Sequence, residues 1–172
     1  MVNRDGGARA RRTLILIDFV MRISICAVAR ARNDPTAEIC KIYQKRLPWT
    51  VEIREVEVRK NVSGEKLALA EADLLRAVLP ARATVIALDG QGKAVSSAAF
   101  AKRLGRWRDD GVADLAFVIG GANGLHRELV QKAHLVLSLG AMTWPHLLAR
   151  AMLMEQLYRA HTILSGYPYH RA

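Results

Sequence analysis

The stretch LAFVIGGANGL, residues 115–125, is a five-residue apolar run that stops on paired glycines. A run this short, with leucine, valine, isoleucine and phenylalanine and a glycine turn at its end, reads as a strand covered on both faces. Two further runs have the same character, TVIAL at 84–88 and HLVLSL at 134–139, and segments with helical spacing separate them at about 97–109 and 125–133. Strand and helix in strict alternation predict a parallel sheet with helices on both faces, an α/β fold.

Upstream the same alternation holds. MRISICAV at 21–28 reads as a buried strand, and PTAEICKIYQKRL at 35–47 as an amphipathic helix that stops before Pro48. VEIREVEV at 51–58 alternates apolar and charged residues with one slip at Glu55, which predicts a half-exposed strand at an edge or with a bulge. Ser63 is the expected N-cap of the next helix, with Leu67, Leu74, Leu75 and Val78 on one face and Pro80 at its end. A long last helix is expected from about residue 146 to 164.

The chain has 172 residues, of which 51% are hydrophobic, enough for one domain with a substantial core. Its formal charge is +10, and the twenty N-terminal residues, with four arginines and two aspartates, account for only two of those charges. The basic character therefore belongs to the body and suits a polyanionic partner. Cys26 and Cys40 form no CxxC pair and have no second Cys/His pair at metal spacing, so two packed thiols, a reducing cytoplasmic compartment and no metal are expected. No apolar run approaches the length of a membrane span. The segment TLILIDFV near the N-terminus faintly resembles a signal peptide, but Asp18 interrupts it and no small-residue cleavage pattern comes after it.

Ligands of open parallel sheets bind beyond the carboxyl ends of the strands. The loops there read DGQGK (89–93), GGANG (120–124) and GAMTWP (140–145), all rich in glycine or small residues that let backbone approach a ligand. None fits GxxxxGK[ST] or GxGxxG, which argues against a nucleotide held by those devices. His126, His134 and Ser138 read as satisfied structural residues, and Asp89 as the cap of a turn. Met142, Trp144, Met152 and Met154 offer an apolar lining or core. The chain ends in SGYPYHRA, 165–172, where Gly166 stops the last helix and Pro168 stiffens the residues after it. Tyr169, His170 and Arg171 can stack on a base, move a proton and pair a phosphate or carbonyl edge, so this tail is a candidate to bear function.

FVIGGANGL at 117–125, LSLGAMTWPHLLAR at 137–150 and LYRAHTILSGYPYHR at 157–171 together resemble the RlmH family of SPOUT methyltransferases, and the resemblance runs over residues 21–172. It implies a single SPOUT domain whose C-terminal segment makes a deep trefoil knot, an exception to unknotted topology. It also implies methylation of N3 of a pseudouridine in 23S rRNA, on the assembled ribosome, with S-adenosylmethionine as donor. By the same resemblance Leu88, Gly120, Gly121, Leu139, Gly140, Ala141, Met142, Thr143 and Trp144 hold the cofactor. Tyr169, His170 and Arg171 are implied to be catalytic, the tail of one subunit approaching the cofactor site of its partner in an antiparallel homodimer. The stripe Leu147, Leu148, Ala151, Met154 and Leu157 fits that dimer or burial within one chain. Ala122 and Asn123 stand where other members often have Pro and Glu, which removes a carboxylate from the glycine loop. Members begin at the equivalent of Met21, so residues 1–20 are expected to be an upstream extension or a start-site misassignment. A non-catalytic ribosome-binding protein with this fold, or a methyltransferase of another RNA site, are the alternatives.

Overall fold

In the computed structural model, residues 21–59 and 61–171 are described; the N-terminal segment 1–20 lies outside them. The elements run β1 (Arg22–Val28), α1 (Pro35–Arg46), β2 (Thr50–Val56), α2 (Gly64–Val78), β3 (Thr84–Ala94), α3 (Ser97–Asp109), β4 (Asp114–Ile119), α4 (Arg127–Lys132), β5 (Leu135–Ser138) and α5 (His146–Ser165). The five strands form one sheet in the order β2-β1-β4-β3-β5, with every neighbouring pair parallel.

Strand alternation sends β1 into two cores at once. Ile23, Ile25 and Ala27 join Phe100, Leu104, Leu153, Met154 and Leu157 on the face covered by α1, α3 and α5. Cys26 and Val28 join Ala72, Leu75 and Leu129 on the face covered by α2 and α4. Both thiols are free and buried, and desolvation pushes the Cys26 thiol up to about 11. No described helix is long and apolar enough to cross a membrane.

Several local expectations are corrected. β2 is an edge strand, the first of the two alternatives its pattern left open, and its register against β1 runs without a bulge from Arg22↔Thr50 to Val28↔Val56. The slip at Glu55 has another cause: the carboxylate sits on the face of Val51 and Ile53 because it pairs with Arg150 of α5, a side chain only 2% exposed. The bulge lies instead in β3, between Leu88 and Lys93. DGQGK is therefore an excursion within a long strand rather than a loop that ends one. Gly92 permits this, since a Cβ there would stand 2.8 Å from the backbone of Leu137. On α2, Leu74 is exposed and Glu71, Ala72 and Leu75 are the buried residues; Ser63 occupies the cap position without a side-chain hydrogen bond.

Candidate active site

At the carboxyl ends of β3, β4 and β5 lies a cavity of about 740 Å³. All nine residues expected at the cofactor line it: Leu88 from β3, Gly120 and Gly121 after β4, and Leu139 to Trp144 after β5. The walls are built largely by backbone. A Cβ on Gly120 would fall 2.4 Å from the carbonyl carbon of Gly124, so the turn after β4 closes only with glycine there. Gly121 bridges Gly124, whose φ of 76° lies in the left-handed region. Beneath the turn, the Glu71 carboxyl abuts Gly121; burial raises its pKa and one of its oxygens has no partner.

The third loop is pinned at its start. Ser138 donates its hydroxyl to the Gly140 carbonyl at 2.8 Å and accepts from the Gly140 N–H at 3.2 Å, while Gly140 takes φ 119°. That is the structural role expected of Ser138. Asp89 likewise accepts from the Gln91 N–H at 2.8 Å, as a turn cap does. His126 caps α4 and His134 accepts from the Val85 N–H at 3.0 Å. Of the expected apolar lining, Met142 is 70% exposed and Met154 belongs to the core; Trp144 is half-buried with its indole N–H unpartnered. Gln91, His146 and Ala149 also line the cavity and were not singled out from the sequence; His146 stands in the quoted WPH segment, which was the available signal.

The tail residues lie elsewhere on the same chain. Gly166, at φ 70°, ends α5, and a turn about Pro168 brings the Tyr169 N–H to the Tyr167 carbonyl at 2.8 Å. The chain thereby folds back on α5. Tyr169 stands edge-on to Tyr158 with centroids 4.8 Å apart, its ring is covered by the Arg159 guanidinium at 4.9 Å, and its hydroxyl donates to Glu155 at 3.1 Å. A hydrogen bond with Tyr43, burial and the Glu155 charge hold the Tyr169 phenol well above its ordinary pKa, so it stays protonated and acts as a donor. Arg159 lies 3.3 Å from His170 Nδ1. Because guanidinium only donates, Nδ1 accepts, and neutral His170 carries its proton on Nε2. Tyr43, Glu155, Tyr158 and Arg159 are given no role by the sequence, whose signals are the Glu155/Arg159 spacing of four on one helix and the place of Tyr158 and Arg159 in the quoted segment 157–171. None of Tyr169, His170 and Arg171 lines the cavity, and Glu155 lies roughly 13 Å beyond His146 along α5 by helical rise. Among the described residues there is no cluster able to hold a metal ion.

The family model for predicted SPOUT methyltransferases matches residues 21–170. The chain belongs to the SPOUT methyltransferase family. This SPOUT methyltransferase is 53% identical over 152 residues to the ribosomal RNA large subunit methyltransferase H of Rhodospirillum centenum, covering 88% of this chain and 100% of the relative. It is 48% identical to the protein of the same name from Paramagnetospirillum magneticum, over 88% and 99% of the two chains. The RlmH resemblance read from the sequence is thus shown. A probable methyltransferase of known structure from Bordetella pertussis shares the fold, with a TM-score of 0.56 at 16% identity over 83% of this chain and 98% of its own.

Proposed function

We propose that this methyltransferase transfers a methyl group from S-adenosylmethionine to N3 of a pseudouridine in 23S rRNA, acting in the cytoplasm on the assembled ribosome. The observation that carries the reading is the convergence of all nine expected cofactor residues on one backbone-built cavity. The relatives' printed names supply the substrate class, ribosomal RNA of the large subunit.

The cavity fits the cofactor. Its volume falls within the range of about 300–1,000 Å³ usual for small-ligand sites. Gly120 and Gly121 let the turn after β4 close tightly against the cavity, open space lies beside Gly140, and the buried Trp144 indole N–H has no partner. Gly120, Gly121 and Leu139 to Trp144 would hold the adenosine and methionine parts, with Leu88 against the base. When bound, S-adenosylmethionine would supply an electrophilic methyl on a sulfonium, with the neutral thioether as leaving group. The protein's task is to align the nitrogen, exclude water and remove the N3 proton. In our reading the tail does the last: Arg171 offsets negative charge developing on the flanking carbonyls and Tyr169 positions the base. His170, or a group beside it, accepts the proton, and for His170 this requires Arg159 to release Nδ1.

The tail's distance from its own cavity supports a composite site in a homodimer, the tail of one subunit completing the cavity of the other. Ala151, Met154 and Leu157 are buried within one chain while Leu147 and Leu148 are half-buried, so most of the α5 stripe is explained without a dimer, and the tail carries that proposal instead. Residues 21–172 form the SPOUT domain in this reading, with a knot in the segment from β4 to α5.

The test is transfer of labelled methyl from S-adenosylmethionine to ribosomes lacking the modification, with subsequent mapping of the nucleotide. Methyl at N3 of a 23S pseudouridine is expected. Methyl elsewhere would assign a different RNA site. Cofactor or ribosome binding with no transfer would make this a non-catalytic binding protein.

A further inference from the structure

β1 and β4 are neighbours whose chains leave in opposite directions, β1 towards β2 and β4 towards β5. The carboxyl ends of such a pair flank the crevice in which open α/β sheets bind ligands. One flank is the glycine turn of the cavity. The other is the β1–α1 loop, residues 29–34, which lines no part of the cavity and lies apart from the tail cluster.

This loop is held with unusual care. Ala29 and Asn33 have φ of 72° and 56°, and they are the only non-glycine residues at positive φ among those described. Such conformations persist where surrounding structure imposes them. Here the imposing group is the buried Arg150, which donates to the Ala29 carbonyl at 2.9 Å and the Val28 carbonyl at 3.4 Å and pairs with Glu55. Glu55 in turn accepts from the Ala31 N–H at 3.0 Å, and the Ala29 N–H reaches the Val56 carbonyl at 2.9 Å. Asp34 then caps α1 through the Thr36 N–H at 2.8 Å. Backbone is thus anchored at 29, 31 and 34. The arginines fall between the anchors: Arg32 is exposed, and Arg30 has only a loose contact with Glu57 at 3.6 Å. Arg150 is the next residue after Ala149 of the cavity wall. The clamp therefore ties the loop's position to the cavity's.

We propose that the β1–α1 loop is a phosphate grip: Arg30 and Arg32, on a backbone clamped by Arg150 and Glu55, engage the backbone of the RNA whose target base enters the adjoining cavity. Folding a strained loop around a buried arginine presents two cations at a fixed distance from the reaction cavity, which diffuse surface charge cannot do. Arg150 is a positioning residue in this scheme. The grip rests on the ribosomal reading of the cavity and names the contact that holds its substrate.

The experiment measures binding of the full chain to assembled ribosomes lacking the modification, across a salt series, beside calorimetric binding of S-adenosylmethionine. The double variant Arg30→Ser/Arg32→Ser is expected to bind about tenfold more weakly near 100 mM salt and to lower the slope of log K against log salt by about two, one per lost phosphate contact. Its cofactor affinity should equal that of the wild type. Lys102→Ser/Arg103→Ser removes two exposed cations of α3 and serves as the control for diffuse charge. An equal loss from the control, or an unchanged slope in the loop variant, overturns the grip. Wild-type protein with no salt-dependent binding to the assembled ribosome overturns the ribosomal reading itself, and the grip with it.

Discussion

The cavity and the tail cluster are built in opposite ways. The cavity is made by backbone: three turns, glycines that admit no Cβ, and few side chains that could move a proton. The tail cluster is made by side chains, with Tyr43, Glu155, Tyr158, Arg159, Tyr169 and His170 packed around a single turn. A backbone-lined cavity suits a ligand that must be held the same way in every cycle, since backbone geometry costs no rotamer entropy to fix. A cluster of titratable side chains suits a substrate that brings a proton to lose. Under the proposed function, their separation in one chain leaves each half incomplete without the other.

The largest expected effect strikes the cavity half. Gly120→Ala drives a methyl into the Gly124 backbone, and overpacking of this kind costs about 1–3 kcal/mol even where neighbours can shift. Cofactor binding measured by calorimetry should be lost. Retained binding would mean that the turn is not part of the cofactor site.

The tail half should respond differently. His170→Ala and Arg171→Ala are each expected to lower the rate of methyl transfer by roughly 10²–10⁴, with cofactor affinity unchanged. A matched loss of cofactor affinity would erase the distinction between the halves.

Mixing probes the same division between subunits. Gly120→Ala and Arg171→Ala proteins, each inactive, should recover about a quarter of wild-type activity after exchange of subunits, because half the dimers are mixed and each holds one intact composite site. No recovery, with subunit exchange verified by mass, would place the tail's action within its own chain.

A smaller effect concerns the floor of the cavity. Burial raises the Glu71 pKa, so the ionised form is disfavoured in the folded state. Stability from this group is therefore present below the ordinary glutamate range and is lost as pH rises through the raised value. Glu71→Gln should raise thermal stability at pH 7, with the gain gone below about pH 4. An equal gain at both pH values would show that ionisation is not its source.

Much of the fold was legible because burial on both faces leaves a plain signal. LAFVI and MRISICAV are rich in apolar residues on both faces, a pattern that a half-exposed strand cannot have. Glu55 was legible only as a slip, since its meaning depends on Arg150, 95 residues away in sequence. The excursion within β3 was hidden for a related reason. DGQGK has the composition of a turn, and only the approach of β5 to Gly92 makes it strand again.

Local sequence was sufficient for the alternation of strands and helices, the three glycine-bearing edges of the sheet and the membership of the family, because these depend on local period and on motifs of a few residues. Packing in three dimensions had to settle that nine residues from β3 and the two loops after β4 and β5 share one cavity, that the tail lies against the middle of α5, and that an arginine near the start of that helix disciplines a loop far upstream. Each of those is a contact between segments distant in the chain, and local residue preference carries no information about which distant surface will be its neighbour.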